Sequence, residues 1–392
     1  MTDKAATLLD RARALVPTLA ARAPETETLR RLPGETMADI KAAGLHHMGK
    51  PARLGGAELP LDATVDILAM LARGCTSTAW VCGVHTDHSI IVGMFPPRAI
   101  DDIWGDTPDA MISASYFPSG TNERVEGGWR LSGTWGFVSG CDHADWFLLG
   151  SMIPDLKSGG KSGERIACIC LMPRSEITIE DNWHVMGLCG TGSKNVTVEG
   201  GFVPDHRILP IPAISGGWQA RGRPDVPPLY RLPHVSTIPF FFQATALGIA
   251  ESMLDDFIEQ MTSRDSFGNP VAQFATLQMH VAEAAAEIDC ARLLIKRDTL
   301  EAMESMRAGE ELSLATKARN RRDQAYSARL CGQAIDRLFG ASGAHNIFSD
   351  NVSQRKFRDM RAASNHIAAN WDVAGTTYGR VSFGLDPQTW LI

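Results

Sequence analysis

The chain has 392 residues, of which 44% are hydrophobic and 21% are charged, and its formal net charge is −7. This composition is that of an ordinary globular protein, which excludes the disordered, collagen-like and coiled-coil classes. One hydrophobic core stops growing at roughly 250–300 residues, so we expect several packed subdomains. The acidic balance argues against nucleic acid or an anionic membrane as a partner, because either would need a basic surface.

The N-terminal segment and the cysteines indicate the compartment. Residues 1–16 lack the uninterrupted apolar stretch of a secretory signal, and no run approaches the ~18 apolar residues of a membrane span. Eight cysteines in a chain of this length do not form a disulfide framework. We therefore expect reduced thiols and a cytoplasmic protein.

Residues 1–107 are predicted to form an N-terminal helical domain. Apolar residues recur at helical spacing over 5–23 and 61–71. The stretch 75–95 is long and mainly apolar, which is typical of a buried helix. Glycines and a proline within 42–59 mark a turn between these helices.

Residues 108–210 are predicted to form a small antiparallel β-barrel or sandwich. Short β-prone runs are separated by Gly, Ser, Pro and Asn turns at the spacing of such a fold. These runs cover 110–117, 129–138, 146–152, 165–172, 176–180 and 193–202. The polar loop 155–164 is predicted to be a hairpin connection, and residues 211–233 a linker rich in proline and glycine.

Residues 234–392 are predicted to form a four-helix bundle. The segments 243–262, 312–339 and 353–380 each fit one long helix. Between the first two, apolar residues repeat at steps of three and four, at Leu277, Val281, Ala284, Ile288, Ala291 and Ile295. The fold class predicted for the whole chain is α+β, mainly α, with the β domain in the centre.

The common nucleotide and metal motifs are absent. Gly187–Gly192 (GLCGTG) lacks the register of a dinucleotide-binding loop, and Gly160-Lys161-Ser162 lacks the upstream glycine of a P-loop. Neither Cys168 and Cys170 nor the pair of His85 and His88 has further ligands at metal spacing. We predict no metal site, and the lack of a G-x-S-x-G elbow argues against a serine hydrolase.

A series of short phrases, taken in order, resembles the acyl-CoA dehydrogenase superfamily. Each phrase alone is weak, and their shared order along most of the chain carries the resemblance. They are Ala43–Gly56 (AGLHHMGKPARLGG), Gly133–Gly140 (GTWGFVSG), Gly187–Pro204 (GLCGTGSKNVTVEGGFVP), Arg264–Phe274 (RDSFGNPVAQF), Leu338–Gly343 (LFGASG) and Arg358–Arg361 (RDMR). The resemblance implies that fold, but a fold does not determine the reaction.

One segment separates this chain from the dehydrogenases of that fold, many of which carry a carboxylate base soon after the R-D phrase. Residues 363–369 (ASNHIAA) contain no Glu or Asp and instead hold Asn365-His366. With Ser139–His143 and the CTSTAW stretch at 75–80, this phrase resembles the two-component flavin-dependent monooxygenases of the same fold. Those oxygenase components hydroxylate phenols, hydroxyphenylacetate-type acids, steroid-derived phenols or indoles.

The resemblance implies a cofactor and two partners. The cofactor would be reduced FAD or FMN, supplied by a separate NAD(P)H-flavin reductase, and O₂ would react with it to give a C4a-hydroperoxyflavin that oxygenates a small aromatic substrate. Flavin-binding residues implied by the resemblance are Phe117, Phe137, Val138, Ser139, Arg264, Phe267, Ser342 and Gly343. Since the turn at 342–343 would approach the flavin of a neighbouring subunit, the resemblance also implies a homo-oligomer, typically a tetramer.

Three residues are candidates for catalysis. Histidine can both donate and accept a hydrogen bond near neutral pH, which suits the peroxide side of a flavin and the deprotonation of a phenol. We assign the first task to His366 and the second to His88, and Ser139 is expected to be the partner of the flavin N5. Further substrate-binding candidates are His85, Ser115 and Trp80.

Other activities stay open at this point. An acyl-CoA dehydrogenase-like flavin dehydrogenase or oxidase with its base elsewhere would retain the same fold phrases. A monooxygenase of the same fold acting on nitrogen or sulfur is a further alternative. A flavin-fold scaffold without chemistry is disfavoured, because Ser139, Arg264 and the LFGASG turn are all present.

Overall fold

The computed structural model describes residues 2–154, 165–216, 225–389 and 392. The predicted hairpin connection 155–164, which contains Gly160-Lys161-Ser162, and positions 217–224 of the predicted linker lie outside the described residues. No helix in these ranges combines the length and the low polarity needed to cross a membrane.

The N-terminal part is helical, as the spacing predicts. Its helices are α1 (Asp3–Leu29), α2 (Gly34–Ala42), α3 (Leu61–Gly74), α4 (Thr76–Met94) and α5 (Pro97–Trp104). The first begins after Thr2, whose side chain accepts a hydrogen bond from the main-chain N–H of Ala5. Every residue of α4 is buried, because this helix contacts the sheet on one side and the C-terminal helices on another.

The central part is a sheet. Its strands are β1 (Ile112–Val125), β2 (Gly128–Val138), β3 (Trp146–Pro154), β4 (Arg165–Pro173), β5 (Thr178–Glu180), β6 (Lys194–Pro204) and β7 (Ile208–Pro210). Within the described residues their order is β5-β6-β2-β1-β3-β4-β7. Trp129, Trp135 and Phe147 belong to an apolar cluster of the sheet that is separate from the main helical core.

One strand pair differs from the predicted antiparallel arrangement. β1 and β3 are parallel, with Ile112 opposite Trp146 and Ser115 opposite Leu149. The cause is the connection after β2, which ends beside the start of β1, where the Ser113 hydroxyl donates to the Ser139 carbonyl. Since the next strand starts from that point, it runs in the same direction as β1.

The C-terminal part contains long helices packed as a bundle. They are α6 (His234–Thr237), α7 (Phe240–Ser263), α8 (Ala275–Ala308), α9 (Leu314–Ala341), α10 (Val352–Ser364) and α11 (Trp371–Ser382). A short hairpin of β8 (Asp265–Ser266) and β9 (Asn269–Pro270) joins α7 to α8. Together these parts confirm the predicted class, a mainly helical α+β fold with the sheet in the centre.

The prediction of one helix over 353–380 is wrong. The segment breaks after Ser364, and a 3-10 turn at Ile367–Ala369 separates α10 from α11. Side chains replace the helical hydrogen bonds there: His366 accepts from the N–H of Ala368, and Asn370 accepts from the N–H of Val373. The break brings His366 against α4 and α7.

Candidate active site

Helix α4 places two histidines against the first strand. His85 and His88 are three residues apart and lie on one face. Each Nδ1 is 2.7 Å from the carbonyl oxygen of Ile112, and because a carbonyl only accepts, both Nδ1 atoms donate. Burial lowers the pKa of His85 to about 3 and also lowers that of His88. Both rings are therefore neutral near pH 7, with Nε2 as the remaining acceptor.

The two Nε2 atoms point to different surroundings. His85 Nε2 has no partner within the described residues, and a Cβ added at Gly140 would stand 2.8 Å from it. His88 Nε2 is 4.0 Å from a carboxylate oxygen of Asp87, and its ring meets Tyr116 edge-on at 5.9 Å between centroids. His85 thus faces the turn after Ser139, whereas His88 faces a buried charge.

That charge, Asp87, was missed in the sequence. It is 3% exposed, its Oδ1 is 2.5 Å from Nε2 of His234, and its Oδ2 accepts from the Tyr116 hydroxyl at 3.4 Å. Burial raises the pKa of Asp87, but the charge and hydrogen bond of His234 and the nearby His88 and Tyr116 leave it below its usual value. The signal in the sequence was its isolation, since no other Asp, Glu, Lys or Arg occurs in α4.

Ser139 belongs to a chain of hydrogen bonds with a fixed direction. Thr191 donates to the carbonyl of Leu188 at 2.8 Å, so Thr191 Oγ1 accepts from Ser193 at 2.7 Å. Ser193 in turn accepts from Ser139 at 2.7 Å, and the Trp80 indole N–H points to Ser139 Oγ at 3.3 Å. The Ser139 hydrogen is therefore already used, and one lone pair of its oxygen is left to accept from a ligand.

His366 lies between two aromatic rings. Its centroid is 5.4 Å from that of Trp80 and 4.3 Å from that of Phe242. Because Nδ1 accepts from the N–H of Ala368 at 3.2 Å, the hydrogen of the neutral ring is on Nε2. Burial and the charge of Arg321 lower the pKa of His366 to about 4. Trp80 touches both His366 and Ser139, so the structure brings three of the predicted site residues together.

The other predicted residues near the sheet differ in exposure. Phe137 is 78% exposed with a φ of +59°, and Phe117 is 74% exposed, so both offer aromatic surface. Val138 is fully buried in the core of the sheet, so its side chain offers no surface to a cofactor. Ser115 is half-buried on β1, immediately before the register shift of that strand.

Arg264 forms a second group, far from the first. Its Nη1 donates to the Ser342 carbonyl at 2.9 Å and lies 3.4 Å from where a Cβ of Gly343 would be. Phe267, beside it, is completely exposed with a φ of +52°. Arg264 immediately follows α7 and is 22 residues after Phe242, which lies near the start of that helix. At a rise of 1.5 Å per residue, the two residues are about 33 Å apart. Within one protomer, therefore, the structure separates this group from His366.

A potential metal cluster lies elsewhere. One ligand atom each from His46, His47 and Asp109 lies within 4.8 Å of the others. Both Nε2 atoms are on the same carboxylate oxygen, at 3.4 Å and 3.0 Å, so hydrogen bonds account for the arrangement. The absence of a metal from the active site stays a prediction.

Comparisons with known proteins identify the family of the chain. Residues 2–94 match the acyl-CoA dehydrogenase N-terminal domain and residues 240–371 the acyl-CoA dehydrogenase C-terminal domain. The chain is 34% identical to the oxygenase component of an FADH(2)-dependent resorcinol hydroxylase from Rhizobium sp. (strain MTP-10005), covering 93% of this chain and 91% of the relative.

Two solved structures share the whole fold. A 3-HSA hydroxylase from Rhodococcus sp. RHA1 is 33% identical with a TM-score of 0.92, over 98% of this chain and 99% of the other. XiaF from Streptomyces sp., solved in complex with FADH2 and glycerol, is 27% identical with a TM-score of 0.90, over 98% and 97%. The chain belongs to the family of flavin-dependent monooxygenase oxygenase components built on the acyl-CoA dehydrogenase fold.

Proposed function

We propose that this protein hydroxylates a small phenol- or indole-type aromatic compound, using O₂ and reduced FAD or FMN delivered by a separate NAD(P)H-flavin reductase. One observation carries the proposal: a neutral histidine, with the hydrogen on Nε2, lies in the stretch after the R-D phrase where many dehydrogenases of this fold carry a carboxylate. Residues 363–369 contain no carboxylate, so the α-proton of an acyl thioester would find no base there. A neutral imidazole with a free N–H suits donation to oxygen.

The residues present fit a reduced flavin. A reduced flavin carries hydrogen on N5, and Ser139 has a lone pair left while its own hydrogen is bound to Ser193. The exposed faces of Phe117 and Phe137 suit a planar ring system. The flavin, when bound, supplies the electrons that activate oxygen.

The chain's own residues would then orient the reactants and exclude water. Trp80 and Phe242 surround His366, so its N–H acts in apolar surroundings where a hydrogen bond is strong. His88, whose Nδ1 donates to Ile112 and whose Nε2 is the acceptor nitrogen of the neutral ring, would accept the proton of a substrate hydroxyl. Replacing His85 and His88 in turn with Gln tests which of them contacts the substrate, since only the variant of the contacting histidine should hydroxylate the substrate more slowly.

We further propose that the flavin site is shared between subunits, because one protomer holds the two groups of candidate flavin-binding residues far apart. Arg264, which contacts Ser342 and Gly343, is about 33 Å along α7 from Phe242, beyond the reach of one isoalloxazine ring. A guanidinium at this exposed position can bind a flavin phosphate held mainly by another subunit. A homotetramer would complete the site, and sedimentation velocity with and without flavin tests it.

The cytoplasm is the proposed location. All eight cysteines are free thiols, and Cys290 is exposed, which suits a reducing compartment.

The test mixes the purified protein anaerobically with chemically reduced FAD or FMN, adds oxygen and a panel of phenols and indoles, and measures hydroxylated product and hydrogen peroxide. We expect hydroxylated product with at least one aromatic compound. We also expect that an acyl-CoA does not reduce the oxidised flavin. Bleaching of oxidised flavin by an acyl-CoA would instead establish a dehydrogenase. Oxygenation of sulfur or nitrogen compounds alone would establish a heteroatom monooxygenase.

A further inference from the structure

Arg321 is a buried cation on α9. Its residue is 2% exposed, and within the described residues its hydrogen-bond partner is Gln324, whose Oε1 accepts from Nη1 at 2.7 Å. Gln324 is itself held in place, since its amide donates to the carbonyl of Ser236 at 2.9 Å. One neutral acceptor leaves most of the donors of a guanidinium, which has five N–H groups, without a protein partner.

Its neighbours show how unusual this is. Arg322 binds both oxygens of Asp323, at 2.7 Å and 3.1 Å, and lies 4.3 Å over the ring of Tyr378. Arg319 and Arg337 of the same helix also pair with carboxylates. For Arg321, no carboxylate of the described chain lies within 4.0 Å. Burial alone lowers the pKa of Arg321 to about 10, so it stays charged near neutral pH.

Arg321 belongs to the surroundings of the candidate active site. Its partner Gln324 binds α6, the helix whose first residue is His234, the partner of Asp87. The charge of Arg321 lowers the pKa of His366, while that of Asp87 raises it, so both charges act on this histidine. Asp87 does not neutralise Arg321, because its two oxygens are engaged by His234 and Tyr116.

A buried charge without a counterion is strongly destabilising, so its presence calls for an anion that arrives with a ligand. The planar fork of a guanidinium matches the two oxygens of a carboxylate. We propose that Arg321 binds the carboxylate of the aromatic substrate, which makes the substrate class a hydroxylated aromatic acid. This inference rests on the proposed function, because it assumes that the pocket of His366 receives an aromatic compound.

The test compares acids with their primary amides. Isothermal titration calorimetry under anaerobic conditions, on the oligomer loaded with reduced flavin, measures the Kd of 4-hydroxybenzoate, 4-hydroxyphenylacetate and 3-(4-hydroxyphenyl)propionate and of the three amides. We expect at least one acid to bind about 10- to 150-fold more tightly than its amide, the range of a hydrogen-bonded charge. Equal affinity of acids and amides in the natural protein would overturn the inference without any variant.

Variants then locate the effect. Arg321→Met should remove the preference for the acid, and Arg321→Lys should retain only part of it because the fork is lost. Arg322→Met is the matched control and should keep the full preference. If Arg321→Met instead weakens the binding of reduced flavin and leaves the acid preference intact, the guanidinium serves the cofactor and the inference is wrong.

Stability gives a readout that does not depend on activity. Without ligand, Arg321→Met should raise Tm by about 2–4 °C, because an uncompensated charge is removed, and the acid should no longer raise it further. A fall in Tm larger than that of Arg322→Met would mean that Arg321 has a structural partner, which overturns the inference. Failure of the proposed function looks different: acids would bind through Arg321, but no aromatic compound would be hydroxylated.

Discussion

The two ends of helix α7 illustrate opposite ways of building a binding site. At the N-terminal end, Phe242 packs against His366 and Trp80, and polar groups nearby are buried and held by other protein groups. At the C-terminal end, Arg264 is exposed and touches only the carbonyl of Ser342 among the described hydrogen-bond partners. The first end is completed within the protomer, and the second presents donors outward.

This difference predicts where substitutions act. Groups at the inner end contribute to folding as well as to chemistry, because burial ties them to the core. Groups at the outer end contribute to ligand binding with little effect on stability, because solvent already satisfies them. The experiments that follow can contradict this division at either end.

The largest effect is expected at Asp87. Asp87→Asn removes the charge that pairs with His234 in the interior, and breaking a buried pair costs about 3–5 kcal/mol of unfolding free energy. Urea denaturation measures the loss. Asp10→Asn is the control, since Asp10 pairs with Arg13 on the surface, and should change stability by less than about 1 kcal/mol. If the two variants lose similar amounts of unfolding free energy, the buried pair of Asp87 and His234 contributes no more to stability than a surface pair.

The next effect concerns His366. Removing its N–H with His366→Ala should reduce product formed per reduced flavin oxidised, with the difference released as hydrogen peroxide, by about 10- to 150-fold. His366→Asn retains an acceptor for the N–H of Ala368 and controls for the local turn. His345→Ala, an exposed histidine, should change nothing. If His366→Ala forms as much product per reduced flavin oxidised as the unaltered protein, His366 has no role in the mechanism.

The pH dependence of that yield tests the state of the ring. With a pKa of about 4, lowered by burial and Arg321, His366 is neutral at all pH values above about 5. Protonation at lower pH would place hydrogen on Nδ1 and break its bond with Ala368. Titration of His366 should therefore contribute no inflection to the product yield between about pH 5.5 and 8. An inflection near 6.5 that disappears in His366→Asn would mean that the ring is solvated.

At the outer end, Arg264→Gln should weaken the binding of reduced flavin about tenfold, through loss of a phosphate contact. Its unfolding free energy should stay unchanged, which is the opposite of the result for Asp87. Riboflavin, which has no phosphate, should bind equally to both forms. If riboflavin loses the same factor, Arg264 does not act on phosphate.

The smallest effect is expected from Ser193→Ala, which leaves the Ser139 hydroxyl without its acceptor. The hydrogen of Ser139 then becomes free to turn toward the flavin N5, where an acceptor is needed. We expect a loss of about 0.5–1.5 kcal/mol in reduced-flavin affinity, measured by anaerobic titration. Thr262→Ala, which removes an exposed hydroxyl bonded within its own helix, is the control.

The sequence predicted most of the helices and strands because their apolar periodicity is local. Phrases shared with a known fold also identified Trp80, Ser139 and His366 as candidate site residues, and the structure brings these three together. The parallel pairing of β1 and β3 could not be predicted, since it depends on where the chain returns after β2. The break at His366 was missed because its capping bonds replace helical ones without a proline or glycine to mark it.

The buried charges were missed for a different reason. Asp87, His234 and Arg321 lie on three helices far apart in the chain, so no local pattern connects them. Only Asp87 left a trace, as an isolated acid in an apolar helix. Arg321 lies in a run with other arginines and looks like part of a solvated face until the packing shows that it is buried.

The shared carbonyl of Ile112 has a mechanical consequence. His85 and His88 are both held by this one oxygen at 2.7 Å, so the spacing between α4 and β1 sets the position of both rings. A separation larger by only about 1 Å would stretch both bonds beyond the hydrogen-bonding range at once and free both rings to rotate. A movement of β1 relative to α4 would therefore change the tautomer and the orientation of both imidazole rings together.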